Sequence, residues 1–265
     1  MRFIALIAIL FLTDPSFAQF TTTMTIERSE NVGDEFEVYV SLPPDYNKES
    51  TYSIVYYLDA NLNSGKELRA LISSGELRVG LNKYIFVGIG HIGDYHSLRR
   101  RDFILPQFVG SDTVPKNKDI GHIREFYQYL KEELIPAIHS RFHTQADNSS
   151  IIGHSLGGLF VFYCLFMNED LFAKYFALSP SLWIDNRSIY LFNRIRDGFQ
   201  APKLLYFAAG SKETSNHILR GTEDAKEFFD KEAYKGLEYR YEVHAKQSHN
   251  SMVAVSLARI INEIL

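Results

Sequence analysis

Residues 149–160 read Ser-Ser-Ile-Ile-Gly-His-Ser-Leu-Gly-Gly-Leu-Phe, and this stretch decides the fold of the chain. It has the pattern of a short apolar strand, a sharp turn that carries one serine, and an apolar helix. Gly153 and Gly157 lie two residues before and after Ser155, which gives the G-x-S-x-G pattern of a nucleophile elbow. In so tight a turn, a Cβ at either glycine would collide with neighbouring backbone. We therefore predict that Ser155 is a nucleophile held above the edge of a β-sheet.

The same turn predicts half of an oxyanion-binding site. The backbone N–H of Leu156 would lie at the N-terminus of the following helix, where negative charge is stabilised. The second N–H donor should come from the loop after the strand that ends at Leu58. In that loop Asn61 is the first choice and Ala60 the second.

A neutral serine needs a base within hydrogen-bond reach and a further group that orients the base. In α/β folds with this elbow the chain order is nucleophile, acid, histidine. Three histidines follow Ser155, namely His217, His244 and His249. His244 lies within the alternating last strand, and His217 comes too early, in a polar helix-like segment. His249, in the loop between the last strand and the last helix, is the predicted base.

The predicted acid is Glu213, on the loop after the buried strand that ends at Gly210. The carboxyl end of that strand should share a sheet edge with the elbow, which would allow Glu213 to hold the imidazole in the required tautomer. Glu223 and Asp224, one element later, are the alternatives. A Ser–His dyad without an essential acid is a further one.

Hydrophobic patterning predicts an α/β-hydrolase fold, with a mostly parallel central sheet, an N-terminal antiparallel hairpin and helices on both faces. The predicted strands lie at 21–26, 36–42, 52–58, 84–90, 149–152, 175–181, 203–210 and 237–245. An apolar helix that contains Cys164 is predicted after Ser155, and the other predicted helices lie at 68–72, 123–135, 188–196, 223–232 and 252–265. Residues 91–120 are predicted to be a long irregular loop of the kind that carries function.

The first eighteen residues have the pattern of a secretory signal peptide. A positive start, an apolar run and small residues at Ser16 and Ala18 predict cleavage near Gln19. We therefore expect a periplasmic or secreted protein, with residues 19–265 forming one domain and no stable membrane insertion after cleavage.

Composition limits the possible ligands. A net charge of −4 gives no reason to expect a nucleic-acid partner. The single cysteine, Cys164, excludes an intrachain disulfide, and no histidine pair has the spacing of a zinc hydrolase. We expect no cofactor and no metal, and a small-molecule ester as the substrate. The sequence does not indicate an oligomeric state.

These motifs resemble the esterase D group of α/β-hydrolases, which includes siderophore-ester hydrolases, feruloyl and acetyl-xylan esterases, S-formylglutathione hydrolases and mycolyltransferases. The matching stretches follow the family order over almost all of the mature chain: 55–60, 100–103, 153–158, 179–183, 210–213 and 248–249. The resemblance implies that Ser155, Glu213 and His249 form a triad and that the backbone N–H groups of Asn61 and Leu156 form the oxyanion hole. The set is most similar to the siderophore-hydrolase-like branch.

The leading hypothesis is a serine esterase that acts on a siderophore-type or other small ester. The alternatives are a feruloyl or acetyl carbohydrate esterase, an acyltransferase, and a non-catalytic secreted binding protein. Arg101 and Trp183 are candidate substrate contacts, and the run 99–101 is a candidate for holding the acidic catechols of a siderophore ester. For that run, the competing interpretation is a structural Arg101–Asp102 ion pair, with Arg99 and Arg100 facing solvent.

Overall fold

The computed structural model describes residues 19–74, 80–106, 120–214 and 217–265. The predicted signal peptide and residues 107–119 of the predicted long loop lie outside these ranges. Within them the strands form one sheet. The strands are β1 Thr21–Arg28, β2 Glu35–Leu42, β3 Ser53–Leu58, β4 Tyr84–His91, β5 Ser150–His154, β6 Lys174–Leu178, β7 Lys203–Gly210 and β8 Leu237–His244.

The strand order across the sheet is β1-β2-β4-β3-β5-β6-β7-β8. β2 pairs antiparallel with β1 and with β4, whereas all pairs from β4 to β8 are parallel. Every residue of β3 and β4 is buried, as near-continuous apolar runs predict for strands that are covered on both faces. The predicted hairpin and mostly parallel sheet are therefore confirmed.

Helices cover both faces of this sheet. They are α1 Asn63–Ser73, α2 Tyr95–Phe103, α3 Ile123–Gln128, α4 Ile135–Arg141, α5 Leu156–Met167, α6 Ile218–Glu232 and α7 Met252–Arg259. A wide π-helical segment, Tyr129–Leu134, joins α3 to α4 just before Pro136. Proline cannot donate to the preceding turn, which is a common cause of such irregular turns. The apolar face predicted for this helix is buried.

Each face of the sheet has its own apolar core. One core contains α5, the rod from α3 to α4, and α6, whereas the other contains α1 and α7. α5 is apolar all round and buried from Gly157 to Met167, as expected for a helix packed inside a domain. No helix among the described residues is long and apolar enough to span a membrane.

Two segments differ from the sequence prediction. Residues 95–103, which were expected to be irregular, form α2, because Asp94 caps this helix by accepting from the His96 N–H at 3.2 Å and the Ser97 hydroxyl at 2.7 Å. The helix expected at 188–196 is instead a 3₁₀ helix, Ile184–Phe192. Three successive left-handed residues, 185–187, interrupt its start.

The elbow has the predicted geometry. Ser155 has φ 59° and ψ −114°, a strained conformation typical of the serine in a nucleophile elbow. A Cβ on Gly153 would lie 2.2 Å from the carbonyl oxygen of Gly157, so only glycine fits there. A Cβ on Gly157 would lie 3.3 Å from the Asp59 carboxylate, which is tight but less severe. The glycine requirement is thus strongest before the serine.

Candidate active site

The candidate site lies at the carboxyl edge of the sheet. Because β5, β6, β7 and β8 are parallel neighbours, the loops that follow them lie side by side at that edge. The loop after β5 carries Ser155, and the loop after β6 carries Ser179 and Ser181. The loops after β7 and β8 carry Glu213 and His249. The chain order predicted from the sequence thus places the three proposed triad residues at one edge.

Glu213 is a buried carboxylate with three donors. The Nδ1–H of His249 donates to its Oε1 at 2.5 Å, and the Gly210 N–H and the Ser179 hydroxyl donate to its Oε2 at 2.6 and 2.7 Å. Burial alone would raise the pKa of Glu213, but these hydrogen bonds to the ionised form lower it below its ordinary value. The carboxylate therefore stays charged and fixes the tautomer of His249 with its proton on Nδ1.

The alternative acids lie elsewhere. Asp224 pairs with Arg187 at 2.5 Å and with Arg220 at 2.9 Å, and Glu223 lies 3.7 Å from Arg220. The structure therefore brings Glu213, and neither alternative, into contact with His249.

His154, the residue between the elbow glycine and the serine, holds the histidine loop. Its Nε2–H donates to the backbone carbonyl of His249 at 2.9 Å, and the two rings are 4.5 Å apart between centroids. Burial, followed by the nearby His249, lowers the pKa of His154 to about 3. The ring is therefore neutral at ordinary pH and keeps the Nε2 proton that this hydrogen bond needs.

Ser155 and His249 line the same cleft, which has a volume of about 270 Å³. We call it the first cleft. Tyr95 and Arg99 line the same opening. The Ser155 hydroxyl lies 3.3 Å from that of Ser181, a long hydrogen bond that gives the nucleophile a resting partner. The first cleft therefore brings Ser155 and His249 together with the Tyr95 ring and the ion pair between Arg99 and Asp59.

The turn after β3 presents the second predicted oxyanion donor. The Ala60 N–H is bonded to the Ile89 carbonyl at 2.9 Å, which removes the second choice for this role. The Asn61 side chain donates to the His91 carbonyl at 2.7 Å, so it anchors the turn to β4. Within the described residues no hydrogen bond is assigned to the Asn61 backbone N–H. This leaves Asn61, with Leu156 at the start of α5, as the candidate donor pair.

Arg99 ties this turn to the elbow. Its guanidinium binds both carboxylate oxygens of Asp59, at 2.6 and 2.8 Å, and also reaches the His154 carbonyl at 3.4 Å. The Arg99 side chain is only 13% exposed and that of Asp59 only 2%. The prediction that Arg99 faces solvent is therefore wrong. Asp59 has φ 58°, and the ion pair holds this strained residue in place.

Arg101 and Trp183, the two candidate substrate contacts, do not line the first cleft. Arg101 binds both oxygens of Asp102, at 2.7 and 2.9 Å, and one oxygen of Asp34 at 2.7 Å. These bonds raise the pKa of Arg101 and engage its guanidinium, as the competing structural interpretation expects. Trp183 is partly exposed and lines a separate cleft.

The positioning roles of several residues of the site could not be predicted from the sequence. Asp59, Arg99, His154 and Ser181 each lie inside a motif that was noted, but only the structure shows which of their side chains point inward. The run of three arginines gave no sign that the first, rather than the last, faces the serine. The Asp94 cap signals the start of a helix, but it does not tell which of the three arginines faces the serine.

Comparison with known proteins gives a family match. Residues 29–254 match the family described as "Putative esterase". The chain is 27% identical over 259 residues to a ferri-bacillibactin esterase, BesA, of Bacillus subtilis, and the match covers 91% of this chain and 88% of that protein.

Two solved structures share the fold. The BES protein from Bacillus cereus superposes with a TM-score of 0.76 at 24% identity, covering 95% of this chain and 96% of that one. An IroE-like serine hydrolase from Shewanella oneidensis gives a TM-score of 0.76 at 22% identity, covering 92% of this chain and 80% of that one. At these identities the structural likeness establishes the fold alone.

We predict that Arg99→Lys lowers kcat for a small ester by about ten- to a hundredfold, with little change in KM. A lysine keeps the positive charge but cannot bind both oxygens of Asp59 and the His154 carbonyl together. The turn that carries Asn61 would then lose its fixed position. The matched control is Arg100→Lys, because Arg100 is the exposed neighbour on the same helix. Equal kinetics for the two variants would contradict this role for Arg99.

The pH dependence of stability tests the environment of Glu213. A carboxyl whose pKa is lowered by folding stabilises the protein above its unfolded-state pKa, and this contribution is lost as the pH falls through the folded-state pKa. The free energy of unfolding of wild type should therefore exceed that of Glu213→Gln at neutral pH. The difference should shrink as the pH falls below the ordinary value of 4.5. Urea unfolding at about pH 7, 5 and 3.5 measures it. A difference that is independent of pH, or matched by Glu223→Gln, would argue against this assignment.

Proposed function

We propose that this chain, which belongs to the esterase family that residues 29–254 match, is a serine esterase with the triad Ser155, His249 and Glu213. The observation that carries the proposal is the contact between His249 and a buried, charged Glu213, in a cleft that Ser155 also lines. A buried Glu–His pair beside an elbow serine is what nucleophilic catalysis requires. A non-catalytic binding protein would have no need of it.

The proposed reaction has two halves. Ser155 Oγ attacks the ester carbonyl carbon while His249 Nε2 takes the hydroxyl proton, and the resulting oxyanion accepts from the N–H groups of Asn61 and Leu156. The intermediate collapses when the C–O bond to the alcohol breaks and His249 gives its proton to the departing oxygen. Water, deprotonated by His249, then attacks the acyl-enzyme and releases the carboxylic acid and Ser155.

Glu213 stays ionised through both halves. Its role is to stabilise the imidazolium form of His249 and to keep Nε2 directed at the reacting oxygen. The His154 hydrogen bond to the His249 carbonyl supports the same orientation from the backbone side.

We place the substrate among siderophore-type esters. Support comes from the Bacillus subtilis relative, which is named for a ferric siderophore and matches most of both chains. Both Ser155 and His249 are partly open to solvent, which favours water over a second alcohol as the acyl acceptor. The proposal includes a periplasmic or secreted location, because residues 1–18 have the pattern of a cleaved signal peptide.

Labelling with a fluorophosphonate probe tests the nucleophile. Wild-type protein should be labelled, and Ser155→Ala should not be, because the probe reacts only with an activated serine. His249→Ala should lower both the labelling rate and kcat for 4-nitrophenyl acetate by several orders of magnitude, roughly 10³-fold or more. Ser140→Ala, at an exposed serine, is the control. Wild-type labelling no better than that of Ser155→Ala would overturn the proposal.

A panel of natural esters tests the substrate class. The value of kcat/KM for ferric siderophore esters should exceed that for feruloyl arabinose and acetylated xylan by at least about tenfold, the effect of one charge-assisted contact. Product release is followed by chromatography, with Ser155→Ala as the blank. A preference for a sugar ester would instead favour the carbohydrate-esterase alternative.

A further inference from the structure

The structure has a second cleft, and the proposed mechanism uses none of the residues that line it. It has a volume of about 190 Å³. Its lining consists of one indole, one imidazole, two guanidinium groups, an amide and a glycine: Trp183, His217, Arg187, Arg220, Asn186 and Gly221. Pockets for whole drug-sized ligands usually exceed about 300 Å³. The second cleft is therefore suited to a single ring-sized group of a larger molecule.

Both walls of the second cleft are attached to triad residues. On one wall, the Ser181 N–H donates to the Ser155 carbonyl at 3.0 Å, and Trp183 follows two residues later. Two residues of chain span at most about 7 Å. On the other wall, the Leu219 N–H donates to the Glu213 carbonyl at 3.3 Å, and His217 lies on that same connection. A group bound in the second cleft would therefore lie close to an ester held at Ser155.

The lining has the chemistry of a site for an anionic aromatic ring. Trp183 is 43% exposed, and its ring lies 6.2 Å from that of His217. The side chains of Arg187 and Arg220 are 49% and 61% exposed, which leaves N–H donors accessible from the cleft. Indole and guanidinium planes stack on flat rings, and guanidinium groups bind carboxylate and phenolate oxygens.

Asp224 fixes these arginines without closing the site. Its side chain is only 10% exposed and contacts Arg187 at 2.5 Å and Arg220 at 2.9 Å. Asp224 and Glu223, which lies 3.7 Å from Arg220, balance the two positive charges but occupy only part of the five N–H donors that each guanidinium carries. The guanidinium groups are therefore pre-oriented, which lowers the entropy cost of binding an anion.

Both walls contain residues with a left-handed backbone. Asp185, Asn186 and Arg187 have φ values of 46°, 49° and 65°, and His217 has 59°. Left-handed non-glycine residues are strained and are frequent where function requires a set geometry. Here they are the residues that place Arg187 and His217 in the lining.

We infer that the second cleft is the subsite for the acyl side of the substrate, and that it binds a planar aromatic group that carries an anionic substituent. This inference rests on the proposed function. The leaving alcohol must take its proton from His249, which lines the first cleft, so the alcohol lies there. The acyl group then extends past Ser181 toward Trp183.

Fluorescence of Trp183 tests binding without any turnover, because it is the only tryptophan of the chain. The probes are 3-(4-carboxyphenyl)propanamide and 3-phenylpropanamide, which differ only in the ring carboxylate. The carboxylate probe should change the Trp183 emission saturably and bind about tenfold more tightly. Arg187→Met should abolish that preference, whereas Arg240→Met, at an exposed arginine paired with Glu238, should keep it. No saturable change, or equal affinity for both probes, overturns the inference.

Kinetics test the acyl assignment. Arg187→Met and Trp183→Leu should each lower kcat/KM by about tenfold for the 4-nitrophenyl ester of 3-(4-carboxyphenyl)propanoic acid. For 4-nitrophenyl acetate, which does not reach the second cleft, the change should stay within about twofold. Equal losses on both esters would show a general structural effect and overturn the subsite. Thermal melting of each variant confirms that it is folded.

The two proposals fail in different ways. If wild-type protein is neither labelled by the fluorophosphonate nor active on any ester, the proposed function fails, and the Trp183 titration still decides whether the second cleft binds the aromatic anion. If esters are hydrolysed but the variants do not discriminate between the two acyl groups, only the subsite fails.

Discussion

The bidentate ion pair between Arg99 and Asp59 is the contact on which the geometry of the site depends. It joins the helix α2, the turn that presents Asn61 and, through the His154 carbonyl, the strand that leads to Ser155. Removing two charges from water is costly, and such a pair is retained only with good geometry and further hydrogen bonds. Both conditions hold here. The elbow and the turn opposite it are therefore held together by directed bonds as well as by apolar packing.

The residues of the proposed triad could be selected from the sequence because general rules fix their places. The elbow needs Gly153, and the parallel order of the strands brings the loops after β5, β7 and β8 to one edge. Chain order then selected Glu213 and His249, and the structure places these two in contact. Buried strands such as β3 and β4 could be predicted equally well, because a strand that is covered on both faces reads as a continuous apolar run without polar alternation.

The residues that position the chemistry could not be predicted in the same way. The helix α2 has no apolar periodicity and starts at the Asp94 cap, so its Arg99 and Arg101 could not be assigned to opposite roles. The left-handed residues 185–187 include no glycine, so the sequence does not predict this backbone conformation. Ala60 and Asn61 were distinguished only by a hydrogen bond to β4. Such features depend on contacts between distant segments, which local propensity does not encode.

The hydrogen bond from His154 to the His249 carbonyl has a mechanical consequence. His154 is the residue immediately before Ser155, so this one hydrogen bond connects the backbone of His249 to the residue next to the proposed nucleophile. The His249 backbone therefore cannot move away from the elbow unless this bond breaks. The position of a histidine on a surface loop is thereby fixed by the end of a strand of the central sheet. The other residues of that loop do not need to fix it.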